Sequence, residues 1–181
     1  MKTLRSKVRK ASAVLFTALV LSASGASAQE KHKYSFKAPD GVTKYTKQHI
    51  LDVGDVPGHQ IRVAELHTVY TGEAPVYAGM KVKESWGRLS SDYVDGSGHA
   101  VNYTIAVMEN GDKVFSRTQL LAQSSVGADG ARRLSFTTVT TLVGGTGKFM
   151  GIRGTLRGRG MSDLKTGTSD NHTEGEYWFE K

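Results

Sequence analysis

From residue 59 onward, apolar and polar positions alternate with a period of two, and from residue 29 onward no segment holds a period of 3.6. Ile61, Val63, Glu65, His67 and Val69 interleave with Arg62, Ala64, Leu66, Thr68 and Tyr70 until Gly72 and Pro75 interrupt. This predicts a strand of about ten residues with two distinguishable faces. A second strand is predicted over residues 76–93, ended by Asp95-Gly96-Ser97-Gly98. A third, over 99–109, carries Val101, Tyr103, Ile105 and Val107 on one face and is closed by Asn110-Gly111, a dipeptide suited to a tight hairpin. Residues 113–124 return, Gly127 to Gly130 turn, and residues 132–143, rich in Thr, Val and Phe, make a fifth strand. Residues 152–161 and 171–180 make two more.

Residues 29–58 lack any sustained period and contain Pro39, Asp40-Gly41, Gly54 and Pro57-Gly58. They are expected to form a partly ordered arm with at most one short strand near residues 34–37. The long strands that follow, joined in order by short turns, predict an all-β chain: an antiparallel up-and-down meander. A meander of this length exposes two edges unless it closes, so a small closed barrel of about eight strands over residues 59–181 is the expected architecture.

The first 28 residues stand apart. Lys2, Arg5, Lys7, Arg9 and Lys10 precede an apolar run at residues 11–21, and Ala26-Ser27-Ala28 fits a small-x-small cleavage site, the pattern of a secretory signal peptide cut after Ala28. A periplasmic or secreted location follows as the expectation. Five of the 24 Lys and Arg residues and none of the 17 Asp and Glu residues lie in this leader, so the remainder carries 19 basic against 17 acidic residues. A nucleic-acid partner is therefore not expected. The chain has no cysteine, which excludes a disulfide framework, a thiolate nucleophile and a cysteine metal site. Membrane insertion of the barrel is not expected either, because faces such as Lys81-Lys83-Ser85 offer no lipid-compatible band.

The glycine-rich stretch Leu142-Val-Gly-Gly-Thr-Gly-Lys-Phe-Met-Gly-Ile-Arg-Gly-Thr155 invites comparison with phosphate-binding loops. A Walker loop requires Ser or Thr after Gly-Lys, where Phe149 stands, and a dinucleotide fingerprint requires a further glycine where Met150 stands. The sequence that follows is too glycine-rich for the helix both motifs need. A chain reversal between two strands, with Phe149 and Ile152 plugging the end of the barrel, is the expected use. Gly144, Gly145, Thr146, Gly147, Lys148, Phe149, Arg153 and Gly154 also fit a Gly-Gly-Thr-Gly-[Lys/Arg]-[Phe/Tyr]-x-x-x-Arg-Gly signature. In this the chain resembles the allene oxide cyclase barrel-like superfamily, to which plant dirigent proteins are similar. The resemblance covers roughly residues 60–181. It implies an eight-stranded antiparallel barrel of lipocalin or calycin type with a central cavity, a dimeric or trimeric assembly, and cofactor-free chemistry: cyclising a reactive epoxide or steering the coupling of radicals. The matched stretch contains none of that family's cavity residues, so no catalytic residue is carried over.

Alternation nominates the lining residues. If the face bearing Ile61, Val63, Glu65 and His67 points inward with Met80, Val82, Glu84 and Trp86, then Val63, Val82, Trp86, Ile105, Phe136 and Thr138 form a wall for a small hydrophobic molecule. Glu84, Glu65, His67 and Tyr103 are its candidate catalytic groups, since an apolar wall disfavours the ionised form of a carboxylate and suits it to general acid or base work. The six histidines are scattered, so no metal is expected. Ser90-Ser91-Asp92 lacks the setting of a nucleophile elbow. The functional expectation is an exported isomerase or cyclase of cofactor-free type. Its alternatives are a non-catalytic carrier of a lipophilic ligand and a structural envelope protein.

Overall fold

A computed structural model describes residues 29–39, 42–163 and 169–180. The expected signal peptide and the Asp40-Gly41 turn lie outside these residues. The chain is all-β: β1 (His32–Ala38), β2 (Thr43–Asp52), β3 (His59–Val69), β4 (Val76–Tyr77), β5 (Met80–Val94), β6 (Ser97–Met108), β7 (Lys113–Val126), β8 (Arg132–Gly145), β9 (Ile152–Asp163) and β10 (Ser169–Phe179), with one turn of 3₁₀-helix at Gly147–Phe149. All pairings are antiparallel, in the order β1-β10-β9-β8-β7-β6-β5-β3-β2, with β4 paired to β5. The up-and-down meander is thus present, with ten strands rather than about eight. It is not closed by hydrogen bonds, and β1 and β2 are its edges.

One of the two extra strands, β2, comes from residues 29–58, where β1 falls on the short strand expected near residues 34–37. β1 alternates but pairs only with β10 at the far end of the chain, a partner that local pattern does not reveal. All ten residues of β2 are exposed, so burial imposes no period on it, and its backbone pairing with β3 is what holds it extended. The remaining one is cut from the expected 76–93 strand by a turn at Ala78 and Gly79, both with positive φ.

Cross-strand pairs share a face, and one face is buried. Val82, Met108, Val114, Leu142, Ile152, Leu156, Tyr177 and Tyr34 form its core at one end of the sheet, with Phe149 beneath the glycine-rich turn. Phe149 and Ile152 are fully buried, as expected of residues plugging that end. On β9 the buried face reads Ile152, Gly154, Leu156, Gly158, while Arg153, Thr155, Arg157 and Arg159 look outward. A Cβ at Gly154 would press on Tyr177 and the carbonyl of Glu176, so glycine here lets β9 and β10 approach closely. The sheet curls far enough to bring β1 against β4. Tyr34 of β1 stacks on Tyr77 of β4 at 5.0 Å, Phe36 meets Tyr70 edge-on, and the Ala78 amide donates to the Tyr177 hydroxyl at 2.7 Å. Burial pushes the hydroxyl pKa of Tyr34 and Tyr77 upward.

The β2–β3 connection is fastened by His59, whose Nδ1 lies 2.6 Å from Asp55 and whose Nε2 lies 2.8 Å from Asp92 on β5. With a carboxylate at each ring nitrogen the doubly protonated imidazolium is favoured, and the pKa of His59 is raised above 6.5, first by Asp92 and then by Asp55. Asp55 is in turn lowered below 3.8, chiefly by His59. The raised His59 contributes stability that is complete below about pH 6.5 and is lost as pH rises through its folded value. The lowered Asp55 contributes stability present above about pH 3.8 that is lost as pH falls below it. Chemical denaturation across pH 4–9 is therefore expected to show a decline on the alkaline side of about pH 6.5 that His59→Gln abolishes. An unaltered profile in that variant would remove the clamp.

Candidate functional site

The site is assembled by two β-bulges. Between Val82 and Glu84 the β5–β6 register shifts, leaving Lys83 as an extra residue. Val82 accordingly faces the core at 2 % exposure while Glu84, Trp86 and Arg88 emerge on the opposite, outward face. A second shift between Tyr45 and Lys47 leaves Thr46 as the extra residue on β2, turned toward Glu65.

On the outward face of β3 and β5, His67 and Trp86 are direct cross-strand partners and stack with ring centroids 3.8 Å apart and planes within 11°. His67 Nε2 lies 2.7 Å from Glu84 Oε2. One residue pair further along, Arg88 Nη2 lies 3.0 Å from Glu65 Oε2, and its guanidinium stands 5.9 Å from the Trp86 ring centroid. Thr46 Oγ1 donates to Glu65 Oε1 at 2.6 Å. That hydrogen bond, with Arg88 next, holds the Glu65 carboxyl below its usual range, so Glu65 is a fixed anion that positions Arg88. Beside this cluster runs an open groove of about 570 Å³ lined outward by Val63, Arg88, Val101, Tyr103, Arg117 and Gln119. Its size falls in the range of small-molecule sites.

The expected single lining is therefore divided between two faces. Val63, Glu65, His67, Glu84, Trp86, Tyr103 and Ile105 stand on the outward face, whereas Val82, Phe136 and Thr138 share the buried face with Leu142. The bulge at Lys83 is the reason for the split within β5. Glu84 is also not walled in by apolar groups: its side chain is 30 % exposed and bound to His67. The structure nevertheless brings Glu65, His67, Glu84 and Trp86 into one contiguous cluster, with Tyr103 alongside in the groove. Thr46, Arg88 and Arg117 were not singled out by alternation. The signal available for Arg88 was its charge on the same face as Glu84 and Trp86, two residues apart.

The inner face in mid-sheet mixes small polar groups with Leu66, Leu89 and Leu120. Thr118 and Thr140 share a hydrogen bond of 2.8 Å, Asn102 Nδ2 donates to Thr104 Oγ1 at 3.0 Å, and Ser91 and Ser116 are buried nearby in register. Among the described residues no group of three His, Asp or Glu side chains is placed to hold a metal ion. Comparison with protein-family models, curated proteins and solved structures gave no match.

Proposed function

We propose that the outward face around β3 and β5 binds a small amphipathic molecule and moves a proton on it without a cofactor, in an isomerisation or cyclisation. The observation that carries this reading is the pair His67–Glu84, held at 2.7 Å with the imidazole lying flat on Trp86. A carboxylate accepting from Nε2–H fixes the tautomer and leaves Nδ1 with the lone pair of a general base. The pair removes a proton from one atom of a bound substrate and returns it to another, so no oxidant or reductant is consumed. Val63, Val101 and Tyr103 offer an apolar floor, and Arg117 at its rim complements an anionic group.

The same reading treats the curled sheet as a barrel. Followed through the ladder, Phe36 stands level with Arg62, yet its ring meets Tyr70, a stagger from 62 to 70. A stagger of this size is of the order that closes eight strands in a (β/α)8 barrel, and on this reading β3, β5–β10 and β1 form the barrel with β2 as an added outer strand. Such a barrel supports the resemblance to the allene oxide cyclase barrel-like superfamily and to dirigent proteins, and with it an exported, cofactor-free protein. A second reading, carriage of a lipophilic ligand without turnover, is favoured by the openness of the groove and the 60 % exposure of Val63.

The test is native mass spectrometry of the protein purified from its own envelope or medium, with organic extraction of whatever accompanies it and turnover assays on what is found. Val101→Arg is expected to release the bound molecule. His67→Gln and Glu84→Gln are expected to keep it and to lower turnover about 100-fold or more. Turnover unchanged in both variants would discard the proton-transfer role and leave carriage.

A further inference from the structure

The adjacent strands β6, β7 and β8 contain no Asp or Glu. Their lysine and arginines stand at the starts of the strands, at Lys113, Arg132 and Arg133, except for Arg117 in the middle of β7. Arg117 pairs across the sheet with Tyr103 on one side and Thr141 on the other, and Val101, Ile105 and Val139 are diagonal to it. Among the described residues its guanidinium has no ion pair or hydrogen bond, and neither the Tyr103 hydroxyl nor the Gln119 amide has a partner. All three line the open groove of about 570 Å³. A lone arginine is ordinary on a wet surface. One set in an apolar floor free of carboxylates, with a phenol and an amide beside it in the same groove, has the makeup of a recognition site.

The row of residues through the groove sets the charge of what it takes. The row runs Lys47–Glu65–Arg88–Tyr103–Arg117–Thr141. It holds three cations and one anion, three minus one or +2, and that anion is already bound by Thr46 and Arg88. The nearest acids outside the row are engaged as well, Glu84 by His67 and Asp92 by His59. A carboxylate would neutralise half of this charge. A phosphate monoester carries about −1.5 to −2 at neutral pH and three acceptor oxygens. The fork of Arg117 matches two of those oxygens, and the phenol donates to the third. In the adjacent row Val63 and Val101 are 60 % and 52 % exposed. Positions two apart along a strand lie roughly 7 Å from each other, so the apolar part of the ligand is compact.

We infer that the groove is a subsite for a phosphate monoester with a compact apolar body. Arg117 and Tyr103 hold the phosphoryl oxygens, Arg88 adds its charge, and Val63 and Val101 carry the body. The inference deepens the reading of this groove as a small-molecule site and rests on it. It makes and breaks no bond, so it does not rest on proton transfer by His67 and Glu84.

Isothermal titration calorimetry near pH 8, where the monoester is a dianion, compares phenyl phosphate, inorganic phosphate, benzoate and benzyl alcohol. Phenyl phosphate is expected to bind at least about tenfold more tightly than each of the others. Arg117→Gln, with unchanged far-ultraviolet circular dichroism, is expected to weaken phenyl phosphate about 10–100-fold and to leave benzyl alcohol unchanged. Lys33→Gln removes the same charge from exposed β1, away from the groove, and is expected to have no effect on any probe. Tyr103→Phe is expected to weaken phenyl phosphate alone. Absence of phenyl phosphate binding, benzoate bound as tightly, or equal losses in Arg117→Gln and Lys33→Gln would overturn the inference. Benzyl alcohol bound in the groove and released by Val101→Arg, with no preference for phenyl phosphate, would discard the phosphate subsite and leave the small-molecule reading standing.

Discussion

Replacing Phe149 by alanine is expected to cost about 3–5 kcal/mol and to lower the melting temperature by roughly 6–20 °C. Phe149 is fully buried and lies in the core with Met108, Leu142, Ile152 and Leu156, yet it belongs to a turn. The turn is bound on both sides: before it, the Thr146 amide donates to the Lys113 carbonyl and the Lys113 amide donates to Thr146 Oγ1, each at 2.9 Å, and after it the Glu180 amide donates to the Gly151 carbonyl at 2.8 Å. The backbone around Phe149 is therefore held, and the hole left by its ring cannot collapse. This is the condition under which large-to-small changes cost most. Its neighbour Met150 is 73 % exposed, and Met150→Ala is expected to change stability by no more than about 0.5 kcal/mol. Thermal and denaturant unfolding of the two variants checks both statements. Equal effects would show that the turn does not plug the core.

Strand identity was legible because strands need only local alternation. β3, β6, β7 and β8 lie within a few residues of the pattern read from sequence, and the turns at Asp95-Gly96 and Asn110-Gly111 lie where their dipeptides predict. Facing was less legible, for a physical reason visible on β6. Its outward phase is Val101, Tyr103, Ile105 and Val107, while its inward phase is Ala100, Asn102, Thr104 and Ala106. On the inner face Ala100 pairs with Leu120 and Asn102 with Leu89, so small residues of β6 stand beside larger ones of its neighbours, and along most of β6 the bulkier phase looks out. Reading apolar as inward then inverts β3 and β6 together. The Lys83 bulge was hidden as well, since a bulge leaves no compositional mark and yet flips every side chain beyond it. That single residue decides whether Glu84 joins Val82 inside or His67 outside.

The grouping of Glu65, His67, Glu84 and Trp86 is unaffected by this inversion because adjacent strands are inverted together. Glu65 and His67 share a phase on β3, and Glu84 and Trp86 share one on β5. A relative reading, which groups stand together, tolerates an error that an absolute reading of inside and outside does not. The consequence for chemistry is direct. An outward His–Glu pair is reached from solvent along an open face, so the dry environment that favours proton transfer must come from the ligand or from a covering surface.

Replacing Gly147 by alanine is expected to lower the denaturant midpoint, and most of that loss is expected to vanish when Asp112 is already alanine. The glycine-rich turn does cradle an anion, and the anion is the protein's own. Asp112 Oδ2 accepts from the Lys148 amide at 3.0 Å and from Asn110 Nδ2 at 2.8 Å, the kind of amide contact a phosphate-binding loop offers its ligand. These bonds hold the Asp112 carboxyl below its usual range, the Lys148 amide first. Gly147 sits at φ 53°, and a Cβ there would overlap the Asp112 carboxylate. Alanine at this position therefore meets two costs. The left-handed backbone disfavours any Cβ by about 1 kcal/mol. Expulsion of the carboxylate forfeits its charge-assisted hydrogen bonds to the Lys148 amide and the Asn110 side chain. Only the first remains once Asp112 is gone, so the double-mutant cycle is expected to depart from additivity by more than the ~0.5 kcal/mol that independent sites show. Denaturant unfolding of the two single variants and the double variant measures it. Additive costs would mean that Asp112 and the glycine turn are independent, and the loop would again be open to an outside anion.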